Sequence, residues 1–225
     1  MEYIDNIYLN TKINIYSKYN MKIYTLRHEK RHSNIVAETS LNQFGLQNAN
    51  SEVIEKLNKL NFSTVYCSSF LRCLQTVSPY LNNYNNKNNK NKKPPLNIEY
   101  GFSEFLMPGY FTKKSDLKVS KEIFEIENLH KPNPKYRPVY TEDKLRKCIP
   151  ETEVQMKNRI HNTLDSIIKN HQISPTLRYK NILIVSHASP IAAIRNYFDS
   201  SIDYKSPFLE IKMGSILEFD VPYQK

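Results

Sequence analysis

The residues best suited to chemistry are Arg27 and His28, which end a β-rich run that begins at Ile23. The alternating run predicts a buried strand, and ligands of open α/β sheets bind beyond the carboxyl ends of the strands. A guanidinium group matches the oxygens of a phosphate, and a neutral imidazole can attack phosphorus. The pair therefore suggests phosphate chemistry, if other strand ends supply partners.

Other strand ends carry groups of the same kind. A short β-rich run over residues 63–67 leads into Arg72, the strongest strand, residues 181–186, leads into His187, and Glu104 follows another β-rich run. Because parallel strands end at one edge of a sheet, we expect these groups to converge. Two arginines, two histidines and one carboxylate suit a phosphomonoester. The cations would bind phosphoryl oxygens, an imidazole would be the nucleophile, and the carboxyl group would protonate the leaving oxygen.

The elements that must position these groups alternate between strands and helices. Apolar residues at helical spacing predict helices over residues 51–61, 70–81 and 151–170. Two short strands, 208–213 and 215–221, are predicted near the C-terminal end. The order of elements predicts an α/β fold, a three-layer α/β/α sandwich on a mostly parallel sheet.

The domain organisation is predicted to be simple. Residues 21–225 form a single domain, and residues 1–20 are a leader that is either an extra edge strand or disordered. Residues 82–95 are a low-complexity asparagine- and lysine-rich loop with little to bury. Residues 106–150 form an insert, irregular apart from a helix predicted over 118–129.

Composition narrows the function classes. The net charge is +10, but eight of these charges lie in residues 87–93 and 105–150, so the rest of the domain is nearly balanced and no specific nucleic-acid partner is predicted. Cys67, Cys73 and Cys148 form no metal-ligand spacing and no disulfide framework, which favours a reducing, cytoplasmic location and no metal. No apolar run is long enough to cross a membrane, so no membrane association is predicted.

Taken in order, the motifs resemble those of the histidine phosphatase superfamily, in its phosphoglycerate-mutase-like branch. That family carries R-H-G, L-T-x-x-G-x-x-Q-A, C/S-S-P-x-x-R-x-x-Q-T, a carboxylate after the third strand, and a late H-G or H-A. This chain has, in the same order, Arg27-His28-Glu29, Leu41 to Ala49, Cys67 to Thr76, Glu104 and Ser186-His187-Ala188. Five collinear motifs are far more specific than any one of them, and they cover most of the chain.

The resemblance implies roles for individual residues. His28 would accept the phosphoryl group as a phosphohistidine, Glu104 would donate a proton to the leaving group, and His187 would contact the phosphoryl oxygens. The phosphate-binding cations would be Arg27 and Arg72. The resemblance implies neither a metal nor another cofactor.

Two departures from the metabolic mutases mark a subgroup. Arg31 and the late His187-Ala-Ser run look more like the protein-tyrosine-phosphatase-like members, in which Arg31 would be a further phosphate-pocket cation. They also look like a related subunit of an RNA polymerase III transcription factor. Glu29 stands where the family usually has glycine, which adds a side chain and a carboxylate close to the site.

The leading hypothesis is a metal-independent phosphomonoester hydrolase that acts on a phosphorylated small molecule or a phosphopeptide. Two alternatives remain: phosphoglycerate mutase-type phosphoryl transfer, and a non-catalytic interaction subunit that uses the same fold. Glu29 favours the last alternative, whereas the intact set of arginine, histidine and glutamate residues opposes it. The sequence does not determine the oligomeric state, and a homodimer is one of the states that it allows.

Overall fold

The computed structural model describes residues 21–34, 36–84, 92–112, 117, 128–177, 180–205 and 210–222. The strands are β1 (Met21–Arg27), β2 (Thr64–Cys67), β3 (Leu96–Ile98), β4 (Ile182–Ser186) and β5 (Ile216–Val221). The helices are α1 (Gln43–Asn50), α2 (Glu52–Asn58), α3 (Leu71–Asn82), α4 (Glu142–Arg146), α5 (Glu153–Ile173) and α6 (Ala188–Phe198), with a 3₁₀ turn at Tyr100–Phe102.

The five strands form one sheet in the order β3-β2-β4-β1-β5. β4 lies at its centre and pairs in parallel with β1 and β2, while β3 continues the parallel arrangement on the outer side of β2. Only β5, at the opposite edge, runs antiparallel to its neighbour β1. All five residues of β4 are buried, as expected for a strand covered on both faces.

Alternation along the strands produces the three layers. On β1, Tyr24 and Leu26 face a core cluster shared with α2 and α3, whereas Ile23 faces a second cluster shared with α5 and α6. On β4, Leu183 joins the first cluster and Ile184 the second. The predicted α/β/α sandwich on a mostly parallel sheet is confirmed.

The helix boundaries differ from the predictions in ways that local chemistry explains. The chain between β1 and β2 forms two helices where one was predicted. The additional helix, α1, is capped by Asn42, whose side chain accepts a hydrogen bond from the Gly45 amide. α3, which contains Pro79, begins one residue later and ends one residue later than predicted. The strand predicted over residues 208–213 is wrong for residues 210–213, which form turns and irregular structure.

The longest helix, α5, begins with a capping box. The Thr152 hydroxyl accepts from the Gln155 amide, and the Gln155 side chain accepts from the Thr152 amide. Neither α5 nor any other helix in the described part of the chain has the length and hydropathy needed to cross a membrane.

Several predictions concern segments outside the described residues. These are the leader 1–20, half of the low-complexity loop (residues 85–91) and most of the helix expected over 118–129. Within the insert, the described residues Leu106, Phe111 and Leu145 are buried and pack with Phe70 in a small third cluster. That part of the insert therefore covers the sheet edge at which Phe70 lies.

Candidate active site

The carboxyl ends of the three central strands bring the predicted groups together. Arg27, the last residue of β1, is in register with Ser186, the last residue of β4, and Cys67 of β2 pairs with Val185. His28 and His187 are therefore the first residues beyond adjacent strands, and their ring centroids lie 5.1 Å apart. The parallel register alone explains this proximity.

The His28 ring is held in one tautomer. Its Nδ1 lies 2.7 Å from the backbone carbonyl oxygen of Glu29. Because a carbonyl can only accept, Nδ1 carries the proton and Nε2 keeps a lone pair. Burial, followed by the charge of Arg72, lowers the pKa of His28 well below its usual value. The imidazole is therefore neutral and nucleophilic at neutral pH.

His187 is positioned from both sides. Its Nε2 lies 2.9 Å from the Ser68 hydroxyl oxygen, and its Nδ1 lies 3.6 Å from Oε2 of Glu104. The Cys73 sulfur approaches Nε2 to 3.4 Å. Burial, followed by the charge of Arg72, lowers the pKa of His187 well below its usual value. The ring is therefore a neutral hydrogen-bonding group, not a cation, at neutral pH.

Arg72 and Arg27 provide buried N–H groups without partners. Arg72 is fully buried; its Nη1 donates to the Val36 carbonyl oxygen at 3.0 Å, but its Nε and Nη2 have no hydrogen-bond partner. Arg27 bonds the Ile211 carbonyl oxygen through Nη1, and its Nε also lacks a partner. Burial lowers the pKa of Arg72 to about 10, so its charge persists at neutral pH. Unpartnered buried donors of this kind require an acceptor, and a phosphate supplies three or four oxygens.

Glu104 faces this cluster. Its Oε2 lies 3.9 Å from Nη2 of Arg72 and 3.6 Å from Nδ1 of His187, and the side chain is 14% exposed. Burial raises the pKa of the carboxyl group, although the charge of Arg72 opposes the shift. A carboxyl group with a raised pKa beside a nucleophilic imidazole can serve as a proton donor.

The loop that carries Glu104, residues 101–106 and here called the acid loop, is held by Arg159, a buried residue of α5. Its guanidinium group donates to the backbone carbonyl oxygens of Gly101 (2.8 Å), Ser103 (3.0 Å) and Glu104 (3.2 Å). It also pairs with the Glu151 carboxylate, whose Oε1 accepts from the Leu106 amide. One buried ion pair therefore connects α5 to both ends of the acid loop.

Comparison with known families tests the interpretation of these motifs. The model of the histidine phosphatase superfamily (branch 1) matches residues 23–220, most of the chain. The chain belongs to this superfamily. The predicted family is confirmed, whereas a search of curated protein sequences finds no match.

Solved structures of other proteins share the histidine phosphatase fold. One is the ecdysone phosphate phosphatase of Bombyx mori in complex with tungstate (16% identity, TM-score 0.58, 90% of this chain and 86% of that chain). Others are a phosphoglycerate mutase from Bacillus anthracis (17%, 0.58, 88% and 87%) and a phosphoserine phosphatase from Entamoeba histolytica in complex with 3-phosphoglyceric acid (15%, 0.56, 88% and 90%). At these identities the likeness concerns the fold alone.

Glu29 occupies the position where the superfamily usually has glycine, and its side chain turns away from the arginine cluster. Oε2 lies 3.5 Å from the Asn48 side-chain nitrogen and 3.3 Å from the Lys30 amide, while Oε1 lies against Gly214. The Glu29 amide donates to the Thr76 hydroxyl at 3.0 Å. The extra carboxylate therefore lies against Lys30, Asn48 and Gly214 and has no contact with Arg27 or Arg72 among those the structure describes.

Gly214 makes room for this carboxylate, which leads to a stability prediction. Gly214 has φ +67°, and a Cβ atom there would lie 1.9 Å from Oε1 of Glu29. We expect Gly214→Ala to lower the free energy of unfolding by about 2–4 kcal/mol, because backbone strain and overpacking add. Urea unfolding followed by circular dichroism measures the change.

The double variant Glu29→Gly/Gly214→Ala separates the two contributions. It removes the clash and keeps the backbone strain, so the alanine substitution should cost about half as much in the Glu29→Gly background. An equal cost in both backgrounds would contradict the contact between Glu29 and Gly214.

Arg31 is partly buried, and one nitrogen of its guanidinium group is held by the backbone. Its Nη1 donates to the backbone carbonyl oxygens of His32 (2.7 Å), Ser33 (2.9 Å) and Asn34. Its charge still reaches the site, where it contributes to lowering the pKa of His28. The structure thus brings five of the six predicted site residues into direct proximity and leaves Arg31 as a nearby charge.

Two residues that matter to this geometry received no role from the sequence, Ser68 and Arg159. Ser68 carries a weak signal, since it directly follows β2. Arg159 carries a better one: it lies beside Ile160 and three residues after Met156, on the apolar stripe of α5. A charged residue on such a stripe is buried only when it is paired, which points to an internal partner.

A cavity of about 1100 Å³ lies at the opposite ends of the strands. Its lining includes Ser63, Pro95 and Asn181, which precede β2, β3 and β4, so it opens at the amino ends of the strands. None of the six predicted site residues lines it.

Proposed function

We propose that the chain is a metal-independent phosphomonoester hydrolase that acts through a phosphohistidine on His28, with Glu104 as proton donor. The observation that carries the proposal is the group of unpartnered buried N–H donors of Arg27 and Arg72 beside the free Nε2 of His28. A phosphoryl group bound by these donors would place its phosphorus atom near the nucleophile.

The first half of the reaction forms the covalent intermediate. The Nε2 lone pair of His28 attacks phosphorus, and the bond between phosphorus and the ester oxygen breaks. The leaving oxygen takes the bond's electron pair and a proton from the Glu104 carboxyl group. Arg27, Arg72 and His187 bind the three equatorial oxygens while charge accumulates on them.

The second half restores the enzyme. The Glu104 carboxylate takes a proton from a water molecule whose oxygen attacks phosphorus, and the bond between phosphorus and Nε2 breaks with its electrons returning to His28. Inorganic phosphate leaves, and Glu104 is protonated again. No metal enters either half.

The test is a substrate panel combined with intermediate trapping. Purified protein is assayed with an aryl phosphate, a phosphotyrosine peptide, sugar phosphates and nucleotides, and a ³²P-labelled substrate is quenched rapidly. We expect turnover without added metal and an acid-labile, base-stable label on His28. A protein that neither turns over any ester nor traps label is a non-catalytic subunit, which overturns the proposal.

The same panel addresses the mutase alternative. Conversion of 3- to 2-phosphoglycerate, with and without a bisphosphate primer, is measured beside hydrolysis. We expect hydrolysis to dominate, because a mutase must retain its intermediate and exclude water. Primer-dependent isomerisation without net release of phosphate would favour phosphoryl transfer instead.

The pKa shifts predict the pH dependence. The pKa of His28 is lowered, so the nucleophile remains neutral down to well below pH 6.5. The pKa of Glu104 is raised, so the proton donor is lost as pH rises through a value above 4.5. We expect kcat for an alkyl phosphate to fall on the alkaline side.

Comparison with the pH profile of Glu104→Gln tests whether Glu104 causes the fall of kcat on the alkaline side, which is the alkaline limb of the profile. The variant should lose about 10²–10⁴ in rate and also lose the alkaline limb, because its side chain does not titrate. Titration of the substrate itself is common to both proteins and cancels in the ratio of rates. An unchanged alkaline limb in the variant would assign proton donation to another group.

A further inference from the structure

The catalytic groups also form a compact set of metal ligands. His28, Glu104 and His187 each offer one ligand atom, and these three atoms lie within 4.8 Å of one another. The Glu104 Oε2 and the His187 Nδ1 are separated by 3.6 Å. In a tetrahedral zinc site, ligand atoms about 2.0–2.1 Å from the metal are about 3.3 Å apart, so the atoms would have to approach one another by up to about 1.5 Å to complete the set.

Both imidazoles have the outer partners that metal-binding histidines use. Nδ1 of His28 donates to the Glu29 carbonyl oxygen, and Nε2 of His187 contacts the Ser68 hydroxyl. The remaining nitrogen of His187, Nδ1, lies 3.6 Å from Glu104 Oε2, and the remaining nitrogen of His28 is Nε2. Outer partners of this kind fix the tautomer and the orientation of a ligating ring.

We propose that the pocket is an inhibitory site for Zn²⁺ and similar divalent transition metals, bound by His28 Nε2, His187 Nδ1 and the Glu104 carboxylate. Two histidines and one glutamate with an open fourth position are a known zinc ligand set. The unpartnered donors of Arg27 and Arg72 favour an anion, such as hydroxide or phosphate, as fourth ligand. Their positive charge opposes the dication and keeps its affinity well below that of a structural zinc site.

Metal binding should inhibit the reaction because it uses the lone pair on Nε2 of His28. The Nε2 electrons of His28 that bind the metal are those that would attack phosphorus, so one side chain cannot do both. Inhibition therefore rests on the proposed function, whereas binding of the metal does not. Removal of the metal by a chelator should restore the enzyme fully, because no covalent bond is made.

The experiment uses Co²⁺ as a spectroscopic probe on tag-free, chelator-treated protein carrying Cys148→Ser. Cys148 is the partly exposed thiol, and its replacement removes a competing soft ligand. We expect one Co²⁺ per chain with the intense visible absorption of a tetrahedral site, displaced by one Zn²⁺. Glu104→Gln should weaken binding at least about tenfold, because loss of even an outer partner costs that much.

His161→Ala serves as the matched control. Its ring is half-buried and bonds the Ala193 carbonyl oxygen, away from the ligand set, so binding should not change. Circular dichroism checks that each variant is folded. Glu104→Gln and His28→Ala proteins that are folded and bind Co²⁺ like the control would overturn the site.

Activity measurements keep the two proposals distinguishable. Turnover that stops with Zn²⁺ and returns with chelator supports both. Co²⁺ binding that depends on Glu104 in a protein without turnover supports the metal site and overturns the hydrolase. Turnover that persists when Zn²⁺ is in large excess over the protein, with no cobalt spectrum, overturns the metal site alone.

Discussion

Replacement of His28 by alanine is expected to reduce turnover of every phosphomonoester by about 10⁴-fold or more, because no other group can take the nucleophile's place. His28 combines burial, a lone pair on Nε2 and a pKa low enough to remain neutral. Assays with an aryl phosphate and with an alkyl phosphate measure the loss. The label trapped from a ³²P substrate should vanish in parallel.

Binding of inorganic phosphate separates a nucleophile from a simple ligand. Arg27 and Arg72 supply the unpartnered donors and are unchanged in the variant, so the dissociation constant of phosphate should change only a few-fold. His161→Ala is again the control, with turnover within twofold of wild type. Residual turnover of about a tenth in His28→Ala would mean that water attacks phosphorus directly.

Arg159→Lys is expected to slow turnover of an alkyl phosphate strongly, although Arg159 touches no substrate. The lysine keeps the charge beside Glu151 but loses the fork that reaches three carbonyl oxygens of the acid loop. Glu104 would then be displaced from the leaving oxygen. We expect kcat for an alkyl phosphate to fall by about 10²-fold, since general-acid catalysis contributes that much or more.

Leaving-group dependence distinguishes positioning from a loss of folded protein. Nitrophenolate leaves without a proton, so kcat for nitrophenyl phosphate should fall only a few-fold in Arg159→Lys. A smaller folded fraction would instead lower both rates equally. Arg146→Lys is the matched control, because Arg146 pairs with Glu142 at the surface and should affect neither rate.

The stability of the Arg159 variants is a separate expectation. Removal of one partner of a buried ion pair costs about 3–5 kcal/mol, so Arg159→Met should unfold at much lower urea concentration than Arg159→Lys. The pair is buried on both sides, with side-chain exposures of 2% and 1%. If both variants unfold like wild type, the pair does not hold the acid loop.

The sequence was sufficient to predict the sheet and to predict that most of the candidate site residues lie close together. β4 is a continuous apolar run, as a doubly covered central strand requires, and β1 alternates between two core clusters. In a parallel sheet the residue after each strand lies at a common edge, so His28 and His187 could be placed together from chain order alone. Collinear motifs then identified the family.

The tertiary structure decided what local patterns could not. Whether Glu29 fills the pocket depends on Gly214, a residue 185 positions away whose missing side chain leaves space for the carboxylate. The sequence predicts that Arg31 is a pocket cation. Only the structure shows that the carbonyl oxygens of His32 and Ser33 accept hydrogen bonds from its Nη1. In the sequence, Arg159 is only a charged residue on a predicted helix. In the structure, it donates hydrogen bonds to three carbonyl oxygens 55 to 58 residues away.

The physical reason for this division is the range of each interaction. Strand and helix type follow from periodicity over a few residues, and strand-end chemistry follows from the direction of the chain. Side-chain orientation at the site depends on which distant groups leave space, offer a carbonyl oxygen or leave a donor unpaired. Chain order could therefore name the candidate reactive residues, and only the packed structure could show that Arg27 and Arg72 retain donors without hydrogen-bond partners near His28.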